Sequence, residues 1–214
     1  MARDVNEFNR LSALGLSFPA ICDILDGKRD EVLEIGMAAE RAAVHKWCKG
    51  RTNIPAELTA LWDLSPANFY LAFDGDAPSK HNPNDFVLIE ADVAEIHGNL
   101  TYHASRAKDP WHKTYKSKSC KTAYRWLKNL PVTPPVIRRF RDQIHIDGGM
   151  HRYHLAHFYN TSRMPFLVWG DNRGEVLDII KSGIITWPAT TAPSSPVSGG
   201  NPNQATEDQC GTGI

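Results

Sequence analysis

The sequence predicts an α+β fold: a mixed sheet with helices, preceded by a helical N-terminal domain and followed by a disordered tail. Three observations predict it. "EVLEIGMAAERAAVHKWCKG" (31–50) is proline-free and rich in Ala and Glu, a long helical pattern. From residue 86 to 185, β-rich runs alternate with helical patterns. From about Pro188 the chain reads "PATTAPSSPVSGGNPNQATEDQCGTGI", with almost no large apolar residue to offset its ordering entropy.

The elements follow in order. "FNRLSALGLSFPAICDILDG" reads as short helices broken at Gly15 and Pro19. The long helix stops at Gly50, and "AELTALWDL" (56–64) reads as a further short helix. "DGDAPSKHNPND" (74–85) is turn-rich and marks a boundary, giving a helical domain over 1–74, a body over 86–185 and a tail over 186–214. In the body, "FVLIEADVAEI" opens as a strand and ends in a small helical turn. Residues 119 to 130 read as a helix, "TPPVIRRFRDQIHID" as one strand, "MPFLVWG" as a short buried strand, and "GEVLDIIKSGII" as an amphipathic helix. On a strand, Arg139 and Arg141 share one face and Arg138 takes the other.

Composition excludes several classes. Lys plus Arg number 24 and Asp plus Glu 24, so no global charge draws the chain to a polyanion. The four cysteines have no CxxC spacing, which argues against a disulfide framework or structural zinc and suits a reducing cytoplasm. "MARDVNEFNR" lacks the apolar core of a signal peptide, and no apolar run reaches membrane-span length. The expectation is a cytoplasmic protein with no membrane span.

"IHIDGGMHRYHLAHF" (144–158) carries the most chemistry. A strand pattern meets a helix pattern at Gly148 and Gly149, with His151 and Arg152 immediately after. Glycines allow a tight bend and close approach of a ligand. A helix N-terminus attracts anions, and arginine grips phosphate with two parallel bonds. The bland alternative is a tight turn. Asp147 either caps the helix or holds a divalent metal beside the phosphate. His151, His154 and His157 follow at steps of three, about 300° of helix each, so they do not converge as three metal ligands.

A second feature is the run 105–128, with eight Lys or Arg against the single acid Asp109. Lys113, Lys116, Lys118, Lys121, Arg125 and Lys128 interleave with Trp111, Tyr115, Tyr124 and Trp126. Aromatics stack bases while lysines hold phosphates, so this is either a nucleic-acid patch, extended by Arg139 and Arg141, or a solvated face.

This order of elements resembles the ParB/sulfiredoxin superfamily over residues 86–185. Sulfiredoxins carry Gly-Gly-Cys-His-Arg at the corresponding corner. Gly148, Gly149, His151 and Arg152 match, and Met150 stands where their cysteine nucleophile is. A thioether forms no thiolate, which disfavours sulfiredoxin-type reduction. The resemblance implies a nucleotide or nucleic-acid phosphate site at the corner, with Lys118, Lys121 and Thr122 as the nearest positions for phosphate contacts from the preceding helix. Members include CTP-hydrolysing partition proteins, ATPases and DNases. A helical N-terminal part on such a body is also similar to the Osa-type fertility inhibition proteins of conjugative plasmids. That resemblance implies an ATP-hydrolysing DNase that blocks conjugative or T-DNA transfer through a type IV secretion system; the expected cofactors are ATP or another nucleotide, and Mg²⁺.

The expected enzyme binds a nucleotide or DNA phosphodiester with Arg152, the 148–149 backbone and the basic helix. Its catalytic residues are His151, Arg152 and Asp147, with His151 as proton carrier because histidine ordinarily titrates near neutrality. Two other classes stay open: a non-catalytic nucleic-acid-binding module, and a protein-interaction inhibitor that docks on a secretion coupling ATPase.

Overall fold

Three helices open the chain in a computed structural model that describes residues 5–49, 54–73, 78–105 and 109–187. They are α1 (Val5–Ala13), α2 (Phe18–Leu25) and α3 (Glu31–Cys48). The break falls at Gly15, whose φ of +79° only glycine adopts readily. Pro19 does not break a helix. It sits in the first turn of α2, where its missing N–H has no helical partner to lose. Asp30 caps α3, accepting from the Leu33 N–H at 2.8 Å. Glu34 is buried one turn on, held by Arg29 at 2.8 Å, and Arg29 also holds Asp23. Leu11, Leu16, Ile21 and Ala38 form a small core among these helices. The expected stop at Gly50 lies outside the described residues.

The helix expected over 56–64 is absent. That segment runs extended, and its backbone pairs with a distant one: Asp63 N–H donates to Val132 O and Val132 N–H to Leu61 O. A 3-10 segment, Pro66–Ala72, follows. Its Phe69 and Ala72 are buried with Phe86, Leu88, Val136 and Leu167 of the sheet. The turn-rich 74–85 stretch therefore joins two pieces that share a core.

The body is mixed α+β. In chain order it is β1 (Phe86–Asp92), α4 (Val93–Gly98), α5 (Tyr102–Ser105), α6 (Lys116–Leu127), β2 (Val136–Phe140), β3 (Gln143–Gly148), α7 (Met150–Phe158), β4 (Arg163–Trp169), α8 (Arg173–Ile179) and β5 (Ile184–Trp187). The sheet order is β3-β2-β4-β1-β5, with β2 and β4 parallel and the other neighbours antiparallel. Val87, Ile89, Ala91, Phe166 and Val168 pack with the inner faces of α6 and α7 in the main core. Asn129 and Asn160 follow α6 and α7 with φ of 55° and 57°, the left-handed turn that ends a helix and that asparagine tolerates.

Two expectations are corrected here. "TPPVIRRFRDQIHID" is a hairpin rather than one strand: β2 turns at Arg141 and Asp142, and Phe140 pairs with Gln143. Arg141 thus leaves the strand, with φ of 61°, and does not share a strand face with Arg139. Residues 184–187 form an edge strand on β1, so Thr186 and Trp187 belong to the sheet. The remainder of the expected tail, 188–214, lies outside the described residues. Among the described residues, no helix is long and apolar enough to cross a membrane.

Candidate functional site

At the β3–α7 corner, Gly149 is the N-cap of α7 with φ of +80°, and Gly148 is the last residue of β3. Each glycine makes room for a particular neighbour. A Cβ on Gly148 would sit 2.6 Å from the Ala72 carbonyl oxygen. A Cβ on Gly149 would collide with the Arg152 side chain, which folds back over the corner. The Arg152 guanidinium donates to that same Ala72 oxygen at 2.8 Å. The two glycines therefore let the 3-10 segment dock on the corner, with Arg152 as the clasp.

The His151 ring lies 5.8 Å from the ring of Tyr115, the N-cap residue of α6. The N-termini of α6 and α7 thus meet, and both carry partial positive charge. Lys116 and Lys118 stand in the first turn of α6 and His151 and Arg152 in the first turn of α7. No carboxylate occurs in the first turn of either helix. Such a junction has the chemistry to hold a phosphate-class anion.

No protein-family model, no curated protein and no solved structure matches this chain.

The other expected site residues spread over the molecule. Asp147 does not fit a metal site: Arg138 Nε donates to it at 2.7 Å, and no group of three His, Cys, Asp or Glu able to hold an ion occurs among the described residues. Thr122 is buried with Cys120 and Ala123 on the inner face of α6. Arg125 holds Glu40 of α3 at 2.5 Å and donates to Pro131 O, a structural role. Lys113 is exposed before α6 and Lys128 is its C-cap, roughly 18 Å from the α6 N-terminus at 1.5 Å per residue. Arg139 donates to the backbone oxygen of Arg141, and Arg141 covers the Phe140 ring at 5.5 Å. Because Val136 pairs with Gly148 at the opposite end, this hairpin tip lies about 15 Å from the corner. Lys121 lines a groove of about 460 Å³ between α3, the 3-10 segment and α6.

Sequence reasoning missed what packs on α7. The rings of His97 and His157 stack at 4.1 Å, with the Tyr153 hydroxyl 3.3 Å from His97 Nδ1. Burial, then repulsion from His97, holds the His157 imidazole below its ordinary value, and burial raises the Tyr153 phenol. His154 is 3% exposed, and its Nε2–H donates to Ala104 O at 2.7 Å. Burial pushes its pKa down to about 4. Those histidines are packing groups; His151 alone of the α7 histidines faces the junction with Tyr115. The Ala72 carbonyl carried no side-chain signal, whereas Tyr115 stood out as an aromatic among lysines.

Proposed function

We propose that the chain is a phosphate-site enzyme of the ParB/sulfiredoxin type, which hydrolyses phosphoester bonds of nucleotides and DNA. One observation carries the reading: the N-termini of α6 and α7 meet at Tyr115 and His151, with Lys116 and Lys118 in the first turn of α6 and no first-turn carboxylate in either helix. The order strand, helices, hairpin, glycine corner, helix, strand is in keeping with the same reading. In it, the helix termini and lysines bind the phosphoryl oxygens and stabilise the charge that develops on them. A water attacks phosphorus, His151 takes its proton, and the bond to the leaving oxygen breaks. Arg152 positions the corner through Ala72 and is not counted among the groups that reach substrate. Asp147 is committed to Arg138, so no step is routed through a resident metal. A Mg²⁺ ion in this reading arrives on the phosphates of ATP.

The cellular role consistent with this chemistry is fertility inhibition: destruction of DNA on its way through a type IV secretion system, in the cytoplasm and beside the coupling protein. A second reading, a DNA-binding module without turnover, is favoured by one specific fact. Two of its three expected catalytic groups, Asp147 and Arg152, are bonded within the protein. ATP hydrolysis and plasmid nicking in Mg²⁺ separate the readings. Turnover should fall roughly 100-fold or more in His151→Ala, the usual size of a lost proton-transfer group. Unchanged turnover in His151→Ala removes the proposed site. Salt-sensitive DNA binding with no turnover in the wild type supports the module.

A further inference from the structure

We infer that the groove between the N-terminal helices and the body is a second ligand site, for a small phosphorylated molecule with an aromatic or apolar body, of nucleoside-phosphate size. The inference does not depend on the corner. The groove's volume, about 460 Å³, falls in the range of small-molecule sites. Apolar side chains make up much of its lining: Ala20, Leu33 and Met37 from α2 and α3, with Leu71 and Phe73 from the 3-10 segment and the residue after it. Leu33 and Leu71 are 47% and 39% exposed, apolar surface left uncovered inside a concavity. Tyr70 contributes a buried ring to the same wall, its phenol pushed up by burial.

Charge supplies the other half. α3 and α6 face each other, and where they close they pair opposite charges, Glu40 with Arg125 at 2.5 Å. Beside that pair they present like charges: Arg41 from α3 and Lys121 from α6 both line the groove. Neither is paired with a carboxylate among the described residues. The two acids in the lining are already engaged, Glu34 by Arg29 and Asp30 by the Leu33 N–H. Arg41 and Lys121 give the lining two cations without a carboxylate partner among the described residues, which suits a phosphate that accepts charge-assisted bonds. The apolar part of the lining suits a base or another flat body. The ligand would bridge α3 and α6 and so stabilise the seating of the helical part on the body.

Titration calorimetry on the full chain tests this, with AMP, ATP, inorganic phosphate and single-stranded DNA as probes. The wild type should bind AMP or ATP, with inorganic phosphate at least tenfold weaker because it lacks the body. Arg41→Glu and Lys121→Glu should each weaken nucleotide binding about tenfold or more, the size of one lost charge-assisted bond. Because each reversal replaces a like-charge pair by an opposite one, the ligand-free thermal midpoint should hold or rise. Arg41→Gln, milder, should weaken binding without reversing charge. His151→Ala should leave groove binding unchanged. Absence of nucleotide binding, equal binding of inorganic phosphate, or charge reversals without effect overturn the groove. Binding lost in His151→Ala but kept in both reversals also overturns it and assigns the nucleotide to the corner. Binding of single-stranded DNA in place of the small probes overturns it in favour of a polymer track.

Discussion

At the residue scale, His154 shows how burial writes a pH dependence into a helix that also carries a candidate catalytic histidine. Its Nε2–H is committed to Ala104 O, and the ring is enclosed with Tyr153 beside it and His97, His151 and His157 close enough to repel a second charge. The folded pKa is about 4 against 6.5 for the ordinary group. The unfolded chain therefore takes the proton first as pH falls. Above 6.5 both states are neutral and the full stability is present; between 6.5 and about 4 it declines; below that this residue removes no more. At ~1.4 kcal/mol per pKa unit, the loss attributable to His154 is about 3 kcal/mol. Urea unfolding between pH 7.5 and 4.5 measures it. His154→Gln keeps a donor near Ala104 and cannot titrate, so its stability should fall much less steeply over that window. An unchanged slope in the variant would assign the acid sensitivity to other groups.

At the element scale, the α3–α6 contact explains how the helical part is held. Arg125 joins Glu40 to the Pro131 carbonyl, and Trp47 packs edge-on against Tyr124 at 5.9 Å. Glu40 Oε1 is buried without a hydrogen-bond partner among the described residues, so there this carboxylate depends on Arg125. Arg125→Met should destabilise by about 2 kcal/mol, since it strands a half-buried charge. The double variant Glu40→Leu, Arg125→Met should recover most of that, because an apolar pair of similar volume needs no desolvated ion. Chemical denaturation of the single and double variants decides it; a neutral Arg125→Met would make the ion pair a surface ornament.

The same scale shows what the sequence made legible. α3 and α7 were readable because their signals are local: a proline-free run rich in Ala and Glu marks one, and the Gly148–Gly149 corner opens the other. Extended segment 56–64 was not, because its backbone partners at Val132 lie far along the chain and outweigh a helical pattern. The hairpin at Arg141–Asp142 was hidden because a left-handed arginine replaces the glycine or asparagine that usually announces such a turn. β5 makes sense only against its partner, Trp187 opposite Leu88, and four residues carry too little pattern alone. In the site, the glycine corner was legible and its contacts were not, since the Ala72 carbonyl has no side-chain signature and Tyr115, though visible as an aromatic among lysines, reaches His151 only through packing.

At the scale of the whole molecule, the piece that closes the fold is 54–73, which precedes the sheet in sequence but belongs to its core. Leu58, Leu61 and Trp62 pack on the main core, with Trp62 edge-on to Trp126 at 5.5 Å and Trp126 Nε1–H donating to Leu61 O at 2.9 Å. Tyr159 donates to Pro55 O, Arg152 to Ala72 O, and Phe69 is 1% exposed under the sheet. Phe69, fully buried, is worth about 1.5–3 kcal/mol and the partly buried Leu58, Leu61 and Trp62 less each, so loss of the segment removes a large share of the ~5–15 kcal/mol net stability of an ordinary domain. Removal of α1 to α3 alone loses less: the Glu40–Arg125 pair and the Trp47 and Cys48 contacts, with the small helical core leaving as a unit. A chain beginning at residue 54 should therefore melt cooperatively at a lower temperature than the full protein. A chain beginning at residue 75 should show no cooperative transition by calorimetry and should bind a hydrophobic dye when cold. The comparison also guards the functional tests, because loss of transfer inhibition on cutting at 75 would report unfolding rather than a docking role for the helices. If the chain from 75 melts as cooperatively as the chain from 54, the 3-10 segment is an accessory strap, and Arg152 is released from its structural role at the corner.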